Sequence, residues 1–239
     1  MEIAWIFFDC FNTLIDDFDQ SGDESGVIPL GVVAKEAGWC QDPTEFHHAY
    51  LSWRRSYWDG SHWRELSLED RLTHVLDARK DRLSQPLTKV VRSMVDLFFE
   101  SFPPSVRLTP GVESMLEKLQ GKVKMGVVSN FFVPGMPEAL LTNFGLHHFF
   151  DFILDSAQVG LKKPHPEIYQ TALGKTDLLS NETSKILFVG DSLQNDYYAP
   201  RTIKLSSLFF DRSKERPSPP AQVGIDHIQH WDQFEDYLS

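Results

Sequence analysis

The chain has 239 residues, 41% of them hydrophobic, and a formal charge of −11 at pH 7. That length and composition suit one large domain or a domain carrying an insert, with ample material for a core. The acidic balance argues against nucleic acid and anionic membrane as partners, since both call for a basic field; a site for an anion must then supply its own local positive charge.

The first element is the apolar run Ile3-Ala4-Trp5-Ile6-Phe7-Phe8, rich in β-branched and aromatic residues. It reads as a strand buried on both faces of a parallel sheet. At its C-terminal end stand Asp9-Cys10-Phe11-Asn12-Thr13-Leu14, where an α/β fold places its chemistry. A carboxylate there is costly to desolvate unless a cation or donor meets it; the plainer alternative is an Asp that turns the chain. Asp9 stops the run far short of the roughly 20 apolar residues of a membrane span. The run also lacks a basic leader and a small-residue cleavage site, so a core strand is expected and not a signal peptide. Cys10 and Cys40 offer neither a disulfide framework nor metal-ligand spacing, which fits a reducing, cytoplasmic setting. Cys10 is expected to be a buried bystander.

An acidic, Gly- and Ser-rich break follows, in which Asp17-x-Asp19-x-Ser21-Gly22 imitates the start of a calcium loop. Its twelfth position, which should be a bidentate Glu, is Ile28, so a solvated linker is expected. From Val27 to Phe102 the periodicity is helical. Val32, Val33 and Ala37 form one stripe, and Phe46, Ala49, Tyr50, Trp53 and Tyr57 a second. Leu68, Leu72, Val75 and Leu76 form a third, and Val90, Val91, Met94, Val95, Leu97 and Phe98 a fourth. Four of the six tryptophans (Trp39, Trp53, Trp58, Trp63) lie here; packing of a small helical core is the plain expectation, and an apolar roof over a ligand the sharper one. His47-His48 and His147-His148 are not metal pairs, because neighbouring helix positions diverge by about 100°.

Beyond Pro103-Pro104, Thr109-Pro110-Gly111 opens a helix with Val112, Met115, Leu116 and Leu119 on its apolar face. Val123–Val128 is a buried strand delivering Ser129-Asn130. A helix through Leu140, Leu141 and Phe144 precedes a third strand at Phe149–Leu154. Gly160 to Tyr169 is a loop entering a helix and carries Lys163-Pro164. Ile186–Val189 is a fourth strand, delivering Gly190-Asp191 and, five residues on, Asp196. Leu205–Phe210 and Ile225–Ile228 complete the series. Strands alternating with helices imply βαβ units and a doubly wound parallel sheet. Parallel strands place their C-terminal ends on one edge, so Asp9, Ser129, Lys163, Asp191 and Asp196 can converge. The carboxylates suit a hard cation such as Mg²⁺, and Lys163 with Ser129 suits an anion.

Asp9-x-x-x-Thr13-Leu14, the strand end at Ser129, Lys163-Pro164 and Gly190-Asp191-x-x-x-x-Asp196 resemble the four ordered motifs of the haloacid dehalogenase superfamily of hydrolases. The resemblance implies a Rossmann-like core over 1–16 and 104–239 and a helical cap over 17–103. It implies Asp9 as covalent nucleophile, with Ser129 and Lys163 holding the group under attack. Asp9, Asp191, Asp196 and the backbone carbonyl of Phe11 would hold Mg²⁺, while Phe11, Thr13, Asn130 and Arg54 would face the substrate. Family phosphatases carry an acid/base Asp where this chain has Phe11, and Gly is usual where it has Asn12. The superfamily's 2-haloacid dehalogenases have an aromatic residue at the Phe11 position; Trp53-Arg54-Arg55 is similar to their early cap stretch, and Tyr169 fits another of their positions. They carry Ser, however, at the Asp191 position and Asn at that of Leu193. The expectation is hydrolysis of a small anionic metabolite by a monomer or homodimer. A phosphate or phosphonate group is favoured over a carbon–halogen bond, with a ligand-binding relative lacking turnover as a further alternative.

Overall fold

A computed structural model describes residues 3–17, 24–58, 62–179, 181–215 and 220–238. The chain divides into two units, Met1–Asp17 with Arg107–Ser239, and Phe18–Val106. Most of the calcium-loop-like stretch, residues 18–23, lies outside the described residues.

The strands in chain order are β1 (Trp5–Phe8), β2 (Ile15–Asp16), β3 (Arg107–Leu108), β4 (Lys124–Ser129), β5 (Phe152–Asp155), β6 (Ile186–Gly190), β7 (Ser206–Phe210) and β8 (His227–Ile228). Six of them form a parallel sheet in the order β5-β4-β1-β6-β7-β8. The order reverses at β1, which has β4 on one side and β6 on the other; this switch point is where doubly wound sheets open a crevice at their carboxyl edge. The period-2 pleat sends Trp5 and Phe7 to one face, among Ile168, Tyr169 and Phe188. Phe8 goes to the other, against Phe150, Trp231 and Phe234. β1 is buried on both sides, which explains its unbroken apolar sequence.

Among the strands, the sequence reading differs from the structure in three main places. β2 and β3 pair antiparallel outside the main sheet; two-residue strands carry no legible period. The expected strand at Phe149 begins later, because His147–Phe149 form a 3-10 turn whose one apolar residue, Phe149, is buried by packing. The last strand is confined to His227–Ile228.

The second unit contains α1 (Leu30–Glu36), α2 (Pro43–Tyr57), α3 (Leu68–Asp77) and α4 (Leu87–Ser101). Asp42 and Glu45 make a capping box that starts α2, satisfying donors that the first helical turn leaves open. The stripe of α3 is buried as the periodicity predicts, and in α4 Val90, Val91, Met94 and Phe98 are buried while Val95 and Leu97 are only half-buried. The face of α1 is not: it buries Leu30, Gly31 and Ala34, while Val32 is exposed. The reason is Gly31, whose missing side chain admits the Pro43 carbonyl; a Cβ there would lie 2.3 Å from that oxygen. Of the tryptophans, Trp39 is fully buried and Trp63 is exposed.

A charged cluster crosses this helical core. Arg71 donates to Glu24 at 2.9 Å, to Glu65 at 2.7 Å and to the Tyr50 hydroxyl at 2.9 Å. Burial opposes the charge of Glu24, yet Arg71 and Arg54 hold its carboxyl below the usual range. Removing one member of such a buried network costs about 3–5 kcal/mol, since the remaining charges stay desolvated. Arg71→Met should therefore lower stability by about that amount in urea unfolding followed by tryptophan fluorescence; a loss below about 1 kcal/mol would show that the cluster is solvated in solution.

Candidate active site

The carboxyl edge of the sheet brings the residues together around β1. Asp9 follows β1 directly, and its N–H donates to the Val189 carbonyl of β6 at 2.8 Å. The Thr13 hydroxyl donates to Asp9 Oδ2 at 3.3 Å. Lys163 reaches over from the loop before the helix Pro166–Leu173 and donates from Nζ to Asp9 Oδ1 at 2.6 Å and to Asp196 Oδ1 at 2.7 Å. All three side chains are nearly inaccessible to solvent. Burial by itself would lower the Lys163 pKa, but the Asp196 and Asp9 carboxylates raise it above the ordinary lysine value, so the ammonium is charged.

Asp196 lies on a π-helical turn, Leu193–Tyr198, whose start is capped by Ser192. Its Oδ2 accepts from the Ser192 N–H at 3.0 Å. Gly190 makes room for it: a Cβ at that position would lie 2.5 Å from the Asp196 carboxyl. Asp191 completes the group, since Asp9, Asp191 and Asp196 each offer a carboxylate oxygen within 4.8 Å of the others.

Ser129 ends β4. Its hydroxyl is buried and makes no hydrogen bond among the described residues, an arrangement that costs about 1–3 kcal/mol unless a ligand oxygen meets it. Asn130 is placed differently from the sequence expectation. Its amide nitrogen donates to the Lys163 carbonyl at 2.9 Å and its carbonyl accepts from the Lys163 N–H at 2.7 Å, so the side chain clamps the backbone that carries the ammonium. Phe11 stacks on Phe131 with ring centroids 4.4 Å apart, and Phe131 stacks on Phe132 at 4.8 Å. Asn12 takes a left-handed φ of 63°, which Asn tolerates better than most residues. Cys10 is fully buried, and burial with the neighbouring Asp9 charge pushes its thiol up, leaving it inert. Tyr169 donates to the Asn195 carbonyl and packs on Phe188.

Arg54 stands in the helical unit, where Nε is 2.9 Å from Glu24 and the guanidinium lies over Trp58. The sequence reading missed Thr109 and Arg212, which hold carbonyls of the turn after Asp9. Arg212 could have been found by the same positional rule as the others, for it follows β7 by two residues at the same edge.

Geometry of this kind defines a hydrolase site on a doubly wound sheet, and comparison with known proteins places it. The family model described as haloacid dehalogenase-like hydrolase matches residues 3–202. The chain belongs to that family and is an enzyme of the hydrolase class. It is 26% identical over 198 residues to the pyrimidine 5′-nucleotidase YjjG of Escherichia coli (strain K12), covering 82% of this chain and 80% of that protein. It is 24% identical over 213 residues to the ribulose-1,5-bisphosphate 5-phosphatase of Halopiger xanaduensis, covering 88% and 85%. In fold it is similar to a 2-haloacid dehalogenase from Pseudomonas syringae pv. Tomato DC3000, with a TM-score of 0.66, 19% identity and coverage of 99% and 98%. No helix among the described residues is long and apolar enough to cross a membrane.

Burial raises the Asp196 carboxyl to about 6, with Lys163 pulling it down and Asp9 pushing it up. A carboxyl whose folded pKa exceeds its unfolded value of about 3.9 binds more protons folded than unfolded. Its contribution to stability is complete below the unfolded value and is lost as pH rises through about 6. Thermal unfolding in EDTA should thus show wild type losing stability relative to Asp196→Asn as pH rises from about 4.5 to about 8. Curves that stay parallel would mean that Asp196 ionises without cost.

Proposed function

We propose that this enzyme is a Mg²⁺-dependent phosphohydrolase that uses Asp9 as a covalent nucleophile on a small anionic metabolite carrying a phosphate or phosphonate group. The observation that carries the reading is Asp191: its carboxylate beside those of Asp9 and Asp196 makes a set of hard oxygen donors suited to Mg²⁺. Three carboxylates and one ammonium are hostile to a substrate anion unless a cation offsets them. Asp9, Asp191, Asp196 and the Phe11 carbonyl would hold the metal, which when bound would neutralise charge on the phosphoryl oxygens.

In this reading an Asp9 carboxylate oxygen attacks phosphorus as the ester oxygen departs with the bonding pair, giving an acyl phosphate. Water then attacks the phosphorus, releasing phosphate and restoring the carboxylate. Lys163 and the Ser129 hydroxyl hold the phosphoryl oxygens, and Asn130 keeps Lys163 in register through its backbone. Phe11, locked against Phe131, has no proton to give, so leaving groups that depart unprotonated, such as aryl or acyl phosphates, are preferred. Residues 17–103 act as the cap, and the enzyme works as a cytoplasmic monomer or homodimer without nucleic-acid or membrane partners. The nucleotidase and phosphatase relatives support this order of preference. The aromatic residue at position 11 supports a second reading, hydrolysis of a 2-haloacid.

A panel of phosphoesters and 2-haloacids, with and without Mg²⁺, separates the two. Phosphate release that needs Mg²⁺ and vanishes in Asp9→Asn is expected; metal-independent halide release lost in the same variant would reverse the order. A gain-of-function test follows from position 11. A positioned acid/base contributes about 10²–10⁴ in rate, so Phe11→Asp should raise kcat on an alkyl phosphate by much more than on p-nitrophenyl phosphate. Equal gains, or none, would show that protonation of the leaving group does not limit this enzyme.

A further inference from the structure

The turn after Asp9 has its carbonyls held by side chains from distant parts of the chain. Arg212 donates from Nη1 to the Asn12 carbonyl at 3.0 Å. Thr109 donates from Oγ1 to the Thr13 carbonyl at 2.7 Å and in turn accepts from the Trp231 indole at 3.1 Å. Asn12 occupies the left-handed region at φ 63°, a conformation that persists only where the surroundings impose it.

Arg212 is itself fully committed. Its side chain is buried beside Asp16, to which Nη2 donates at 3.1 Å. Nε donates to Glu215 at 2.9 Å, and the guanidinium lies over the Phe210 ring at 5.2 Å. The planar fork is thereby fixed in one orientation, which a lysine ammonium on a flexible stem could not reproduce.

A trans peptide unit is planar, with its C=O and N–H pointing in opposite directions. Holding the Asn12 carbonyl toward Arg212 therefore turns the Thr13 N–H away from Arg212. Thr13 is fully buried and its hydroxyl donates to Asp9. Its N–H makes no hydrogen bond among the described residues. A buried amide without an acceptor is rare, and at an active site it is a ready donor for an anion.

We propose that Arg212 is a positioning residue of the active site: by holding the Asn12 carbonyl it fixes the turn that follows Asp9 and presents the Thr13 N–H to the anion that Asp9 attacks. The identity of that anion rests on the phosphohydrolase reading; the clasp itself does not.

The test compares Arg212→Lys with Glu215→Gln, which keeps a side-chain oxygen to accept from Arg212 and leaves the Asn12 and Asp16 contacts of the guanidinium in place. Backbone amide exchange, which needs no substrate, should quicken about tenfold or more over residues 10–14 in Arg212→Lys and stay unchanged over 124–129. With p-nitrophenyl phosphate and Mg²⁺, kcat should fall about tenfold to a hundredfold while KM stays within about threefold, and Glu215→Gln should match wild type in both. Unchanged exchange over 10–14, equal acceleration over 124–129, or full retention of kcat would each overturn the proposal. Wild type that releases no phosphate in an Asp9-dependent way would refute the phosphohydrolase reading alone, and the exchange comparison would still decide the clasp.

Discussion

The ammonium of Lys163 between the carboxylates of Asp9 and Asp196 is the interaction on which the site depends. A doubly wound sheet gathers the ends of its strands at one edge, and here that edge collects three acids. Without a counter-charge, buried carboxylates would repel one another or take up protons. Lys163 keeps the cluster together, and the cost of burying it explains why so much of the surroundings serves to hold it in place. Asn130 fixes its backbone, the π-helical turn and Gly190 bring Asp196 within reach, and β6 anchors Asp9.

The same economy of parts appears around the turn that follows Asp9. Its left-handed residue, the antiparallel pairing of β2 with the distant β3, and the carbonyl contacts of Arg212 and Thr109 form one structure. The turn satisfies the Asn12, Leu14 and Ile15 N–H groups internally, but its Asn12 and Thr13 carbonyls are met by later segments, since buried backbone groups need partners. The consequence is that residues with no place in the four motifs hold the surroundings of Asp9. Family membership does not reveal this, because the motifs mark groups that touch the reaction and not those that aim them.

Position 11 is where local chemistry bears on the choice between the two readings of the reaction. A carboxylate there would add an acid/base to the site; phenylalanine instead packs into a stack with Phe131 and Phe132. Fold likeness to a 2-haloacid dehalogenase and sequence likeness to nucleotidases and phosphatases therefore coexist without contradiction.

What the sequence determined by itself was the architecture and the residues that gather at the carboxyl edge of its sheet. Buried parallel strands write themselves as unbroken apolar runs, and a polar residue at the end of such a run has few uses besides chemistry; Asp9, Ser129, Asp191 and Asp196 were legible for that reason. Order along the chain did the rest, placing Lys163 among them. The pairing of β2 with β3, the packing phase of α1 and the roles of Asn130, Thr109 and Arg212 were decided only by the tertiary structure. Two-residue strands have no period, and a helix face is rotated by whatever neighbour its glycine admits. A side chain that hydrogen-bonds a carbonyl 200 positions away leaves no local pattern, because that bond exists only after the sheet has brought the two ends together.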